Sequence, residues 1–331
     1  SVVRLLSDIP DEIKGNVKSI AVDGTSGTAL LCDQSGKVTS PALMYHDNRA
    51  TQEANNILQL APQTTGAQGT GSSLAKILWL LKHNYQGRYA LHQADWIAGN
   101  LCQKWGFSDC NNALKLGYNP VLLEWPSWLE KFPVVTKLLP KVHLSGDVIA
   151  SIDRQIAEEL GLPVATVICA GTTDRIARFI ATSASNPGDA DTTLGSTLVV
   201  KVINNHPVFA PEYGVYSHRL GNQWLVGGAS NTGGAVLEQY FSREQMDELT
   251  TSIKVNQPTN TQFYPLPDIG ERFPVNNPEK QSEVDMIDDR LEFFQALLEG
   301  IAGIEKLAYE KLAELGCNFP LKVISTGGGA K

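Results

Sequence analysis

The sequence predicts an α/β protein of two domains, and three observations carry that prediction. Strand-like and helical periodicities alternate along the chain. The alternation falls into two blocks, which favours an α/β or mixed two-domain architecture. The chain has 331 residues, more than the roughly 250 to 300 that one hydrophobic core serves. The period changes from helical to strand-like near residue 163, so the expected domains are residues 1–162 and 163–331.

In chain order, residues 17–22 and 28–32 read as strands, and Asp33-Gln34-Ser35-Gly36-Lys37 as a turn. The loop DGTSGT, residues 23–28, therefore lies between two strands. Residues 72–83 carry Leu74, Ile77, Leu78 and Leu81 at amphipathic-helix spacing, with Ser72 or Ser73 as cap. Residues 90–105 are expected to be helical too. A Pro-punctuated stretch, 119–140, with Trp125 and Trp128 beside prolines, reads as an irregular connection. A helix over 154–160 is stopped by Gly161 and Pro163. Residues 164–170 read as a buried strand, GTTD (171–174) as a turn and 175–183 as a helix. In the second half, 192–203 form a hairpin around LGST (194–197), and 224–228 a short strand. The longest helix spans 288–315, with Phe294, Leu297, Ile301, Ile304, Ala308 and Leu312 along one side. A strand at 321–325 then runs into Gly327-Gly328-Gly329.

Charge and composition exclude several classes. The 27 Lys+Arg and 35 Asp+Glu give a net charge of -8, with no basic run to follow a phosphate backbone, so nucleic acid is not an expected partner. No stretch approaches about 18 uninterrupted apolar residues and no signal-peptide pattern opens the chain, so neither membrane insertion nor secretion is expected. Five cysteines are scattered without a C-x-x-C pair, which fits reduced thiols in a cytosol-like compartment. A P-loop, a complete G-x-G-x-x-G, a G-x-S-x-G elbow and metal-ligand spacing among the six histidines are all absent from the sequence.

What recurs instead is a short Gly/Thr/Ser loop after a strand, at DGTSGT, GTTD, LGST, NTGG and TGGGA. Such loops offer backbone N–H groups and hydroxyls to phosphate or sugar oxygens. One alone is an ordinary turn; five point to a nucleotide or sugar site.

The segment GSSLAKILWLLKH (71–83) resembles the first signature of the FGGY carbohydrate kinases, in which a small residue, a Ser, a Lys and a Trp share one helix. ALMYHDNRA (42–50) is similar to the family's W-x-D-x-R strand end with Tyr45 in place of Trp, and 94–118 to its "DW…G…TD…NA…GY" run. Residues 158–174 resemble the entry into the family's second domain, and ALLEGI (296–301) part of its second signature. The resemblance covers essentially the entire chain.

It implies two actin-like, ribonuclease-H-like domains with sugar and ATP in the cleft between them, Mg²⁺ as cofactor, and γ-phosphoryl transfer to a sugar hydroxyl. Asp174 corresponds to the catalytic base, and to a metal contact through water; the same residue would also serve as a helix N-cap. Gly195 and Ser196 match the phosphate hairpin, Gly234 a glycine near the γ-phosphate, and Gly327, Gly328, Gly329 and Ala330 the turn beneath adenosine; ordinary turns are the alternative. Where xylulokinases carry Gln-Met-His-Gly, this chain has Thr25-Ser26-Gly27-Thr28 after Asp23-Gly24, closer to ribulokinases. The expected substrate is a pentulose, D-ribulose first and D-xylulose second. Asp23, Thr25 and Ser26 are the expected sugar contacts, with Asp47 and Arg49 either joining them or forming a buried structural ion pair. A non-catalytic sugar-binding homologue and, more remotely, a nucleotide-dependent dehydrogenase are the other classes.

Two departures stand out. The family's first D-x-G-T-S/T phosphate loop and the Asn and Trp that close on adenine have no counterpart in the 331 residues. The expectation is a chain trimmed at both ends, cytoplasmic or, with a trimmed transit peptide, plastidic, whose turnover depends on residues before Ser1 and after Lys331.

Overall fold

The computed structural model describes residues 2–330. They form two compact units dividing between Phe179 and Ile180. The strands of the first unit are β1 (Ser19–Gly24), β2 (Ala29–Cys32), β3 (Tyr89–His92), β4 (Phe107–Asp109), β5 (Lys141–His143), β6 (Val148–Ser151) and β7 (Val167–Thr173). One sheet runs β1-β7-β6, while β2 pairs with β3 and β4 with β5. The second unit holds β8 (Asp189–Leu194), β9 (Leu198–Asn204), β10 (Tyr216–Leu220), β11 (Gln223–Ala229) and β12 (Lys322–Thr326), ordered β10-β11-β9-β8-β12. There β12 is parallel to β8 and the other pairs are antiparallel.

The division corrects the expected boundary at 162/163. A change of period marks a new element, and here that element is β7, which lies between β1 and β6 in the first unit's own sheet. The GTTD turn is corrected too: Gly171, Thr172 and Thr173 continue β7, and Asp174 opens the helix Asp174–Ala181. Residues 90–105 are not one helix. Tyr89–His92 is a strand pairing antiparallel with β2, and the helix Gln93–Cys102 follows it. A short apolar run fits either state, and pairing with β2 decides it.

Leu74 and Ile77 of the helix Ser73–Lys82 are fully buried against Leu31, Leu43, Ile57 and Leu116, as their spacing predicts, while Leu78 and Leu81 of the expected face are only partly buried and Leu80, outside it, is fully buried. Each such side chain is worth about 1.5–3 kcal/mol of burial. In the second unit the helix Arg290–Glu314 packs Ala308, Tyr309 and Leu312 onto Val200, Val202, Trp224 and Val226 of the five-stranded sheet. All five cysteines are buried, and no disulfide forms among the described residues. Burial and the adjacent Asp33 push the Cys32 thiol up to about 11, and burial pushes Cys317 up to about 12, so both stay protonated and unreactive. Among the described residues no helix is long and apolar enough to cross a membrane.

Candidate active site

Strands β1 and β7 are parallel and in register Asp23↔Thr172 and Gly24↔Thr173. Both chains therefore leave the sheet at the same end, which sets the loop after Gly24 beside Asp174. The carboxyl ends of parallel strands are where open α/β sheets bind ligands. A bulge between Ala21 and Asp23 brings the Val22 carbonyl so close to Gly171 that a Cβ there would lie 1.8 Å from the oxygen. Only glycine fits at that point.

The signature helix braces this loop. Ser72 caps it by accepting from the Ala75 N–H at 3.2 Å. Lys76, wholly buried, donates to the carbonyls of Gly27 (2.8 Å), Tyr45 (3.2 Å) and Gly71 (3.3 Å). One ammonium thus ties together three loops. Burial and the charge of Lys115 push it down to about 8, with Asp47 acting in the opposite direction. Trp79 stacks on His83 and carries the Arg49 guanidinium over its face at 5.0 Å. Ser73 bonds His92 Nε2 at 2.8 Å, and His92 Nδ1 lies 3.1 Å from Asp95. This Ser-His-Asp chain is fully inside the unit, so it joins elements and has no route to a substrate.

Thr25 and Thr28 share a hydroxyl–hydroxyl hydrogen bond of 2.6 Å, and Thr28 Oγ1 also accepts from the Tyr45 N–H. Ser26 sits on the same loop, half-buried, while Asp23 is exposed at the end of β1. Asp47 and Arg49 form a two-point ion pair, with both contacts at 2.9 Å. The pair is not buried, since half of the Arg49 side chain is exposed. Burial raises the Asp47 carboxyl, but its bonds to Arg49 more than offset this and hold it below the usual range.

Asp174 is the first residue of its helix, half-buried, and makes no side-chain hydrogen bond among the described residues. Its backbone is held from behind. Asn111 Nδ2 donates to Thr172 Oγ1, and Asn112 Nδ2 to the Thr172 carbonyl and to Asp109. Asp109 is buried next to Asp95, and both effects drive its carboxyl above the usual range. Lys115, one turn further on, is electrostatically coupled to Asp174.

In the second unit the remaining Gly-rich loops converge. The Gly234 N–H donates to the Gly195 carbonyl (2.8 Å) and the Ala235 N–H to the Ser196 carbonyl (3.2 Å). Gly327, at φ +93°, sits so close to Leu194 that a Cβ would be 2.5 Å from its carbonyl oxygen. Gly195, Ser196, Gly234 and the Gly327–Ala330 turn are thus neighbours, although far apart in sequence. The Ser196 hydroxyl is exposed, and the space where a Gly328 Cβ would sit is empty to 4 Å. Hydroxyls and backbone amides around open space fit a polyphosphate. Two buried carboxylates support these loops. Asp191 accepts from Thr193 (2.9 Å) and Thr326 (2.8 Å), and Glu271 from Ser230, the Asn231 N–H and Tyr264.

Sequence reasoning did not single out Lys76, Asn111, Asn112, Lys115, Asp191 or Glu271. For the first four a signal existed, because they lie within two of the segments that carry the resemblance, 71–83 and 94–118; Asp191 and Glu271 act through residues remote in sequence.

Residues 4–180, more than half of the chain, match the FGGY family of carbohydrate kinases, N-terminal domain. The xylulose kinase of Escherichia coli K12 is 21% identical over 96% of this chain and 69% of its own length. The ligand-bound xylulose kinase of Lactobacillus acidophilus superposes with a TM-score of 0.82, at 20% identity, over 99% of this chain and 71% of that one. The gluconate kinase of the same organism does so with a TM-score of 0.82, at 19% identity, over 99% and 70%. With a signature helix that braces a hydroxyl-rich loop, two α/β units and this family match, the chain belongs to the FGGY family of carbohydrate kinases.

Proposed function

We propose that the chain phosphorylates a pentulose, D-ribulose first, at a primary hydroxyl, with Asp174 as general base and ATP as donor. The observation that supports this most is the parallel β1/β7 pairing, which sets the hydroxyl-bearing loop 25–28 beside an Asp174 carboxylate free of capping duty. Thr25, Ser26 and Asp23 contact the sugar, and Asp47 and Arg49 flank it. Asp174 accepts the proton of the attacking hydroxyl as its oxygen bonds to the γ-phosphorus; the bond to the bridging oxygen breaks and ADP leaves. Asn111 and Asn112 keep the carboxylate aimed by fixing Thr172.

Gly195, Ser196, Gly234 and Gly327–Ala330 would hold the nucleotide. Mg²⁺, when bound, neutralises phosphate charge. Asp174 would hold it through water, and the phosphate oxygens of the nucleotide would supply its other ligands. Among the described residues no cluster of three or more His, Cys, Asp or Glu could cage it. We place the reaction in the cytoplasm.

A second substrate, D-xylulose, is favoured by the xylulose kinases among the similar proteins. Sugar-dependent ADP release and calorimetric binding across pentuloses, for wild type and Asp174→Asn, test the proposal. The variant should bind sugar normally, because Asn keeps the shape, and lose about 10²-fold or more in turnover. Near-full activity in the variant would remove Asp174 from the role of base. Sugar binding without any ADP release in the wild type would select a non-catalytic sugar binder.

A further inference from the structure

Two lysines approach Gly27 and are treated in opposite ways. Lys76 spends its three protons on three carbonyls. Lys115 makes no hydrogen bond among the described residues. It sits in the short turn Leu114–Leu116, whose two leucines are 2% and 1% exposed and anchor the turn in the core. Lys115 itself is half-buried and reaches the loop 25–28 at Gly27. Its Cδ and Nζ lie 3.3 and 3.4 Å from where a Cβ on Gly27 would be. The missing side chain at Gly27 is what leaves room for it. Burial and the charge of Arg175 hold the ammonium below the usual lysine range, with Asp174 acting in the opposite direction.

A half-buried ammonium with no acceptor among the described residues is stabilised by a ligand that supplies one. The ammonium lies between the loop 25–28 and the residue proposed as base, where the carbonyl and hydroxyl oxygens of a sugar would offer several acceptors. We propose that Lys115 is a sugar-binding residue, its ammonium donating to pentulose oxygens between the loop 25–28 and Asp174. The inference rests on the pentulose kinase reading and names a contact for it. Lys115 thereby selects for oxygen-rich substrates, since a ligand lacking the matching oxygen leaves the ammonium unpaired.

The test is calorimetric binding of D-ribulose and D-xylulose to wild type, K115M and K115R, with melting temperatures and ADP affinity measured alongside. K115M should bind the preferred pentulose about tenfold or more weakly, the scale of a lost charged hydrogen bond, with ADP affinity unchanged. It should melt no earlier than wild type, because an unpaired charge is replaced by an apolar chain of similar length. K115R should recover part of the binding. Equal sugar affinity in wild type and K115M would overturn the assignment while leaving the pentulose reading intact. An earlier melt with unchanged sugar affinity would make Lys115 a structural residue. Absence of binding to either pentulose by the wild type would overturn the pentulose reading and this inference with it.

Discussion

Lys76 holds the loop 25–28 through backbone carbonyls, so its effect on the sugar is exerted by position. Replacing it by Met leaves the carbonyls of Gly27, Tyr45 and Gly71 without their donor. Leaving a buried acceptor unsatisfied costs about 1–3 kcal/mol, so K76M should melt several degrees earlier and bind sugar less tightly. The pH dependence has a definite sign. Lys76 is pushed down to about 8 from an ordinary 10.5, so between those values the unfolded chain binds more protons than the folded one. This residue's contribution therefore makes stability rise with pH across that window, and K76M should flatten the rise. Urea midpoints of both proteins from pH 7.5 to 10.5 would show it; parallel pH profiles would mean that the lysine is not desolvated as described.

At the scale of elements, the β1/β7 pair is the most exposed to single changes. A Cβ at Gly171 would meet the Val22 oxygen at 1.8 Å, which forces the two strands apart. Gly171→Ala should cost about 1–3 kcal/mol or more and lower sugar binding in step, since the loop and Asp174 are hung on these strands. Circular dichroism melts and calorimetry on the same sample would check it; an unaffected variant would show that the bulge can relax. In the second unit Glu271 plays the corresponding part for the loop 230–234, accepting from Ser230, Asn231 and Tyr264. Glu271→Gln keeps the shape but turns one acceptor into a donor. ATP or ADP affinity should fall several-fold with sugar affinity unchanged. Equal losses for both ligands would indicate that Glu271 supports the whole fold and not one loop.

For the molecule as a whole, two compact units with separate cores make separable responses to ligands the expected behaviour. Sugar contacts are proposed in residues 1–179 and nucleotide contacts in residues 180–331. In scanning calorimetry each ligand, at about a hundred times its Kd, should stabilise its own unit by about 2.7 kcal/mol. Hydrogen exchange would assign the protection: loop 25–28 with a pentulose, the 195–197 and 231–234 loops with ADP. Sugar-induced protection confined to the second unit would reverse the proposed assignment.

The helices at 72–83, 154–160 and 288–315 were visible from apolar spacing and caps, because a helix's pattern and its end signals are both local. The hydroxyl-bearing loop 23–28 was legible from its place between two strands and the Gly-rich loops from composition, while Asp174 was marked by the family resemblance alone. Residues 90–105 were not, because a short apolar run becomes a strand only when β2 is there to pair with it. The boundary at 162/163 failed on the same ground: β7 belongs with β1, and parallel pairing between distant segments leaves no local mark. Nor could spacing reveal that Lys76 spends its protons on three carbonyls, that Lys115 meets no acceptor among the described residues, or that Glu271 holds the loop after Ser230. Local sequence thus decided which elements form and which chemistry they carry. Which elements meet was decided by the tertiary structure, because strand register, close approach at glycines and the satisfaction of buried polar groups depend on partners remote along the chain.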